Sequence, residues 1–335
     1  MSQSNFVISV RKVKSPRNKE PRFINEPGKA RYLEVPDGEM PHPIKHKLPT
    51  ADWVRDVTAR AETDRRARDP RRPDELFAFG DIVVFIHGYN NSMQDVMHRH
   101  NLLQRRLGDE GYKGAIVSFD WPSASVTLNY LEDRRDAKAT AFHLVEDCIM
   151  LLARNQLRSE TNKCDINVHL LGHSTGAYVI REAFYEASQR RSTSRINWSV
   201  SQVALIGGDI ARKSMSADDS KSRGLFRHSA RITNYQNPYD SALQVSNVKR
   251  VGAAPRVGRV GLPNDAPPNV VNVNVGDHWK SLNEDTSEAS GNWSHSWHFD
   301  DPLFARDLHH TLKGEIDRNK IPTRTIVDDQ LVLKS

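Results

Sequence analysis

The sequence predicts an α/β fold: a mostly parallel central sheet with helices on both faces. Two observations carry this expectation. From residue 81 onward, short apolar runs alternate with amphipathic segments of helix length, the pattern of strands joined by helical crossovers. Within it, Asp81–Ile86 (DIVVFI) is a near-continuous apolar run, as a strand buried on both faces must be. Crossovers between such strands are right-handed. With 335 residues, of which 37% are hydrophobic and 27% charged, the chain can build a sizeable core, and disorder throughout is excluded.

Taken in order, Phe6–Val10 and Arg31–Val35 read as short strands separated by a connection rich in proline and charge. Ala51–Arg68 reads as a polar helix, with Thr50 or Asp52 near its start and Pro70 and Pro73 beyond its end. Ser92–Leu107 predicts a helix and Ala115–Phe119 a strand. Asp133–Leu157 predicts a long helix with Ala137, Ala141, Leu144, Val145, Cys148, Ile149 and Leu152 at apolar positions. Ile166–Leu171 is a strand and Ala177–Gln189 a helix. Val200–Ile206, Arg231–Tyr235 and Val270–Val275 are strands, and Pro302–Asp317 is the closing helix. Asn247–Pro268, with three glycines and four prolines and no helical period, reads as a long loop. Lys280–Asn292 is a second irregular stretch. The expected organisation is a basic, proline-rich segment over 1–75 whose strands extend the sheet at one edge, a main domain over 76–320, and a C-terminal tail over 321–335.

Charge is unevenly placed. Residues 1–75 hold 17 Lys and Arg against 12 Asp and Glu, and 9 of the 17 prolines, so nearly all of the formal +6 lies there. Acidic residues interleave with the basic ones and aromatics are sparse, so no nucleic-acid partner is expected. No run approaches the roughly 18 apolar residues of a membrane span. The first residues lack the build of a signal peptide. Two cysteines, Cys148 and Cys164, cannot make a disulfide framework and read as reduced thiols of a cytoplasmic protein.

The strongest chemical signal is Gly172-His173-Ser174-Thr175-Gly176. A G-x-S-x-G is weak alone. Here it follows an apolar strand and opens an amphipathic helix, the strand–turn–helix context of a nucleophile elbow. The elbow strains the serine backbone and brings strand and helix close, so the residues two before and two after Ser174 must be small. A serine hydroxyl needs a base, and acyl transfer needs donors for the developing oxyanion. One donor is the N–H of Thr175. The other comes from the turn after Asp81–Ile86, His87-Gly88-Tyr89-Asn90, where Gly88 allows close approach and Tyr89 N–H is the candidate. Asn90 either touches substrate or caps the helix that follows.

The runs VVFIHGYNNS at 83–92, FDWPS at 119–123, Tyr130 to Arg134, and LLGHSTGAYVI at 170–180 together resemble a family of bacterial α/β-hydrolases of unassigned substrate. That family carries HGYN, W-P-S, Y-x-x-D-R and a G/A-H-S-x-G elbow in this order. The resemblance spans roughly 80–315 and leaves residues 1–75 unexplained. It implies an α/β-hydrolase fold with a serine, an acid and a histidine in chain order. Asp240, in a D-x-A-L after the strand at 231–235, matches the family acid, and Asp209 after Val200–Ile206 is the competitor. His295, in H-S-Trp before the last helix, matches the family base, with Ser294 standing where glycine is usual. His298 and His278 are the alternatives. Trp121 and His173 are expected to line the pocket, as is His87.

No histidine or cysteine spacing suggests a metal site, and no P-loop is present, so neither metal nor cofactor is expected. The reading is a serine esterase or thioesterase acting on a small-molecule ester. The alternative is a non-catalytic binding protein on the same fold that uses its basic N-terminal segment.

Overall fold

The computed structural model describes residues 4–17, 19–67, 70–123, 138, 140–152, 164–190, 193, 198–248 and 254–334. Among these, eleven strands form one sheet: β1 (Asn5–Lys14), β2 (Arg22–Val35), β3 (Glu62–Ala67), β4 (Leu76–Ile86), β5 (Ala115–Asp120), β6 (Cys164–His173), β7 (Val200–Ile206), β8 (Ser229–Gln236), β9 (Val270–Asn274), β10 (Arg324–Val327) and β11 (Gln330–Leu333). Their order is β10-β11-β9-β8-β7-β6-β4-β5-β1-β2, with β3 paired to β4 off this path. From β11 to β1 each neighbouring pair runs parallel. The outermost pairs and β3–β4 are antiparallel.

Helices α1 (Thr50–Ala61), α2 (Met93–Asp109), α3 (Thr175–Gln189) and α4 (Pro302–Lys313) cover the two faces. Strand side chains alternate between faces, and β4 shows the division. Ile82, Val84 and Ile86 pack with Trp53 and Val57 of α1 and with Ile180 and Phe184 of α3. Val83 and Phe85 pack with Leu103 and Leu107 of α2 and with Phe304 and Leu308 of α4. The fold is the α/β sandwich that the alternating pattern implies.

The N-terminal segment builds the edge. β1 lies parallel beside β5, and β2 covers β1 from outside. Phe6 packs edge-on against Trp53 of α1, whose indole N–H donates to Leu33 O at 3.0 Å.

Four expectations are corrected. The helix read over Ala51–Arg68 ends at Ala61, and Glu62–Ala67 pairs with β4 instead. The end of α1 lies so close to β4 that a Cβ at Gly80 would fall 1.8 Å from Ala61 O, which leaves the next residues beside that strand. The closing helix stops at Lys313, where Gly314 takes the left-handed conformation (φ 65°) that ends helices. Residues 324–333, expected as a tail, form the β10–β11 hairpin, with β11 joined to β9. Arg324 holds it: its guanidinium pairs with Asp307 at 2.7 Å, both side chains fully buried, and donates to Thr311 Oγ1.

The stretch read as a loop contains the end of a helix over Ser241–Val248 and a short helix over Val257–Val260. Tyr130 to Arg134 lie outside the described residues, as do both ends of the helix expected over Asp133–Leu157. Residues 140–152 of it are helical, with a π turn at Leu144–Ile149. Among the described residues no helix is long and apolar enough to cross a membrane.

Candidate active site

The C-terminal ends of parallel strands are where open α/β sheets place ligands. Register sets which residues meet there. Ile86 of β4 pairs with Phe119 of β5 and with Gly172 of β6, so His87, Asp120 and His173 come level one residue later. Ser174 follows at φ 56°, ψ −122°, a left-handed conformation that costs a non-glycine residue energy. Close packing around it supplies the restraint. A Cβ at Gly172 would lie 2.9 Å from Ala177, and one at Gly176 would lie 2.1 Å from Ile86 O. One at Gly88 would lie 2.7 Å from Ser174 Cβ, so the turn after β4 passes directly over the serine.

Asp240 and His295 are brought together. Asp240 is buried in the turn after β8, and its Oδ2 accepts from His295 Nδ1 at 2.5 Å while Oδ1 accepts from Leu243 N at 2.9 Å. His295 lies on a short helix over Trp293–Ser296. Asn237 Nδ2 donates to Ser294 O at 2.8 Å, and Ser241 N donates to Ser294 Oγ at 3.0 Å, so the two loops are stitched to each other. Ser294 thus has a task that glycine could not perform. The pair rests against Gly207 (φ 51°), where a Cβ would stand 3.0 Å from His295 Cε1 and 3.3 Å from Asp240 Oδ2.

The competing residues have other partners. Asp209 forms a buried ion pair with Arg256 at 2.9 Å. His278 pairs with Asp301, the residue that caps α4. His298 is buried and stacked on Trp297, and burial holds its imidazole well below its ordinary pKa.

His173 does not line an open pocket. It is buried behind His295, 4.6 Å between ring centroids, and donates from Nε2 to His295 O at 2.8 Å. Burial above all, and after it the surrounding basic groups, hold its imidazole well below the ordinary pKa. Trp121 is likewise fully buried. It stacks on His87 and donates its indole N–H to His87 O at 2.8 Å. Its backbone N–H reaches His87 Nε2 at 3.1 Å, so the proton of that imidazole sits on Nδ1 and is donated to Gly88 O at 2.9 Å. Burial lowers the pKa of His87 and keeps it neutral. These aromatic groups brace the turn over Ser174.

Of the turn's residues, Tyr89 is partly exposed and Asn90 is exposed with φ 54°. Asn90 does not cap α2; Ser92 does, in a reciprocal box with Asp95. The residue that sequence reasoning missed is Asn91. It is buried, donates from Nδ2 to Gly88 O at 2.9 Å and to Tyr89 O at 2.8 Å, and pairs through Oδ1 with Arg99. Its N–H reaches Ser123 Oγ at 3.2 Å. The second asparagine of HGYNN and the serine of FDWPS were its only signals, and their contact spans 32 residues of chain. Among the described residues no group of three or more His, Cys, Asp or Glu could hold a metal ion.

Comparison with known proteins places this architecture. No curated protein matches the chain. Among solved structures, a "putative cell surface hydrolase" from Lactobacillus plantarum WCFS1 is 13% identical with a TM-score of 0.37, over 72% of this chain and 94% of that one. A lipase-esterase related protein from Clostridium acetobutylicum ATCC 824 is 9% identical with a TM-score of 0.34, over 70% and 94%. Esterase B from Lactobacillus rhamnosis is 15% identical with a TM-score of 0.28, over 60% and 76%. Likenesses this weak identify no substrate. The family model described as alpha/beta hydrolase of unknown function (DUF900) matches residues 77–275, more than half of the chain, and the chain belongs to that family of α/β hydrolases.

Proposed function

We propose that the chain is a serine hydrolase that cleaves a small-molecule carboxylic ester or thioester through an acyl-enzyme on Ser174. The observation that carries this reading is the buried Asp240–His295 pair, joined at 2.5 Å at the sheet end where Ser174 occupies a strained turn. Ser174 Oγ attacks the carbonyl carbon and its proton passes to His295. The N–H groups of Thr175 and Tyr89 hold the oxyanion. The tetrahedral adduct then breaks its bond to the alkoxide or thiolate, which takes the proton from His295. Water, deprotonated by the same imidazole, attacks the acyl-enzyme and releases the acid, restoring Ser174. Asp240 accepts from Nδ1, which fixes the tautomer and stabilises the imidazolium. In this reading Asn90, which is exposed, touches the substrate.

A panel of p-nitrophenyl esters of increasing acyl length tests this reading. Turnover of at least one member by the wild type, and of none by Ser174→Ala, is expected. No turnover across the whole panel would favour a binding protein on the same fold.

A further inference from the structure

We propose that the N-terminal strand is part of the hydrolytic machinery, with Arg11 of β1 a positioning residue that holds the turn presenting Tyr89 N–H. The proposal rests on the serine-hydrolase reading and adds a requirement for residues that the family match, which starts at 77, does not include.

The argument starts from register. Ser9 of β1 pairs with Asp120 of β5, and side chains two residues apart share a face, so Ser9 and Arg11 both point toward Asp120. Ser9 Oγ donates to Asp120 Oδ2 at 2.7 Å, and Arg11 Nε reaches the two carboxylate oxygens at 2.8 and 3.0 Å. All three residues are buried. Burial, the largest influence, would alone raise the Asp120 carboxyl; the Arg11 guanidinium and the other groups around it together outweigh burial and hold it below its ordinary value. The rest of the guanidinium fork is also occupied. Nη1 donates to Asn25 Oδ1 of β2 at 2.7 Å, and Nη2 donates to Asn91 O at 3.0 Å.

Asn91 in turn decides where Tyr89 N–H points. A peptide unit is planar and trans, so the carbonyl of residue 88 and the N–H of residue 89 point in opposite directions. Gly88 O is held by two donors, Asn91 Nδ2 and His87 Nδ1, each at 2.9 Å. Fixing that oxygen aims the Tyr89 N–H. A glycine at 88 gives this peptide unusual freedom to rotate, and a rotated unit would present an oxygen where the oxyanion needs a donor. Arg11 secures one of these holders directly, through the Asn91 carbonyl; the other, His87, is set by the N–H groups of Trp121. Buried arginine–carboxylate pairs contribute little net stability, so positioning gives this one a reason to be there.

The test compares Arg11→Lys and the charge-neutral pair Arg11→Met with Asp120→Asn against wild type. A p-nitrophenyl butyrate assay gives kcat and KM, and the rate of phosphonylation by a fluorophosphonate reads the oxyanion site without deacylation. Melting is followed in parallel. Arg11→Lys keeps a charge on Asp120 but loses the fork to Asn91, and the double variant leaves no buried charge unpaired. Both are expected to melt near wild type, to lose roughly 10–100-fold in kcat and phosphonylation rate, and to keep KM, because a donor used only in the transition state is misplaced. Wild-type kcat in either folded variant overturns the proposal. So does loss of folded protein in both, which makes Arg11 structural only. Failure of the underlying reading looks different: the wild type itself would then be labelled no more than Ser174→Ala.

Discussion

Asp240→Asn is expected to fold as the wild type does and to lose turnover by about 10⁴. The carboxylate is buried and accepts from His295 Nδ1 at 2.5 Å and from Leu243 N at 2.9 Å. An asparagine fills the same volume, and its oxygen can still accept one of these bonds. Its amide can also turn an N–H toward Nδ1. The imidazole then carries its proton on Nε2, where the mechanism needs a lone pair, and the cation formed during acyl transfer loses its counter-charge. Steady-state turnover alongside a melting curve checks the two halves of this expectation. Near-wild-type turnover would show that the reaction does not use the Asp240–His295 pair.

The second large effect concerns stability. Arg324→Ala is expected to cost about 3–5 kcal/mol, because it leaves Asp307 ionised, buried and without its countercharge. The Arg324–Asp307 pair is fully buried. Asp307 also accepts from Tyr235 Oη and Thr323 Oγ1, so the loss reaches β8 and α4 as well as the C-terminal hairpin. Adding Asp307→Asn should recover part of the stability, since the uncompensated charge is then gone. Denaturant titration of the single and double variants measures this. A loss below about 1 kcal/mol for Arg324→Ala, typical of an exposed pair, would contradict it.

What could be read from the sequence was local. The run DIVVFI and the strands at 166–171 and 200–206 are apolar because both faces of the sheet are covered, and their positions follow from composition alone. What could not be read depended on distant contacts. Glu62 and Arg65 have the i, i+3 spacing of a helical ion pair and do pair, yet they lie on a strand, because β3 keeps its charged side chains in solvent at the start of β4. The C-terminal hairpin turns at Asp328-Asp329, both with positive φ (47° and 59°), a turn that usually advertises itself with asparagine or glycine. Its anchor, Arg324, looks like any surface arginine until Asp307 is placed against it.

The site divides in the same way. The small residues around Ser174 are a local demand of strand, turn and helix, and they stand within five consecutive positions. Asp240 and His295 lie 55 residues apart; only the resemblance to a hydrolase family singled out both. Asn91 and Arg11 were invisible for a physical reason. Asn91 acts on the Gly88 and Tyr89 carbonyls of its own turn, and Arg11 on Asp120 of β5 and the Asn91 carbonyl, and neither residue type announces such contacts.

The most direct measurement is the mass of the intact protein after reaction with a fluorophosphonate, for the wild type and for Ser174→Ala. Phosphonylation needs a nucleophile activated by a base and a site for the oxyanion, so denatured protein serves as the control for general reactivity. The account predicts one phosphonyl group on native wild type, localised to Ser174, and none on Ser174→Ala or on denatured protein. An unlabelled native wild type, or equal labelling of Ser174→Ala, would contradict it.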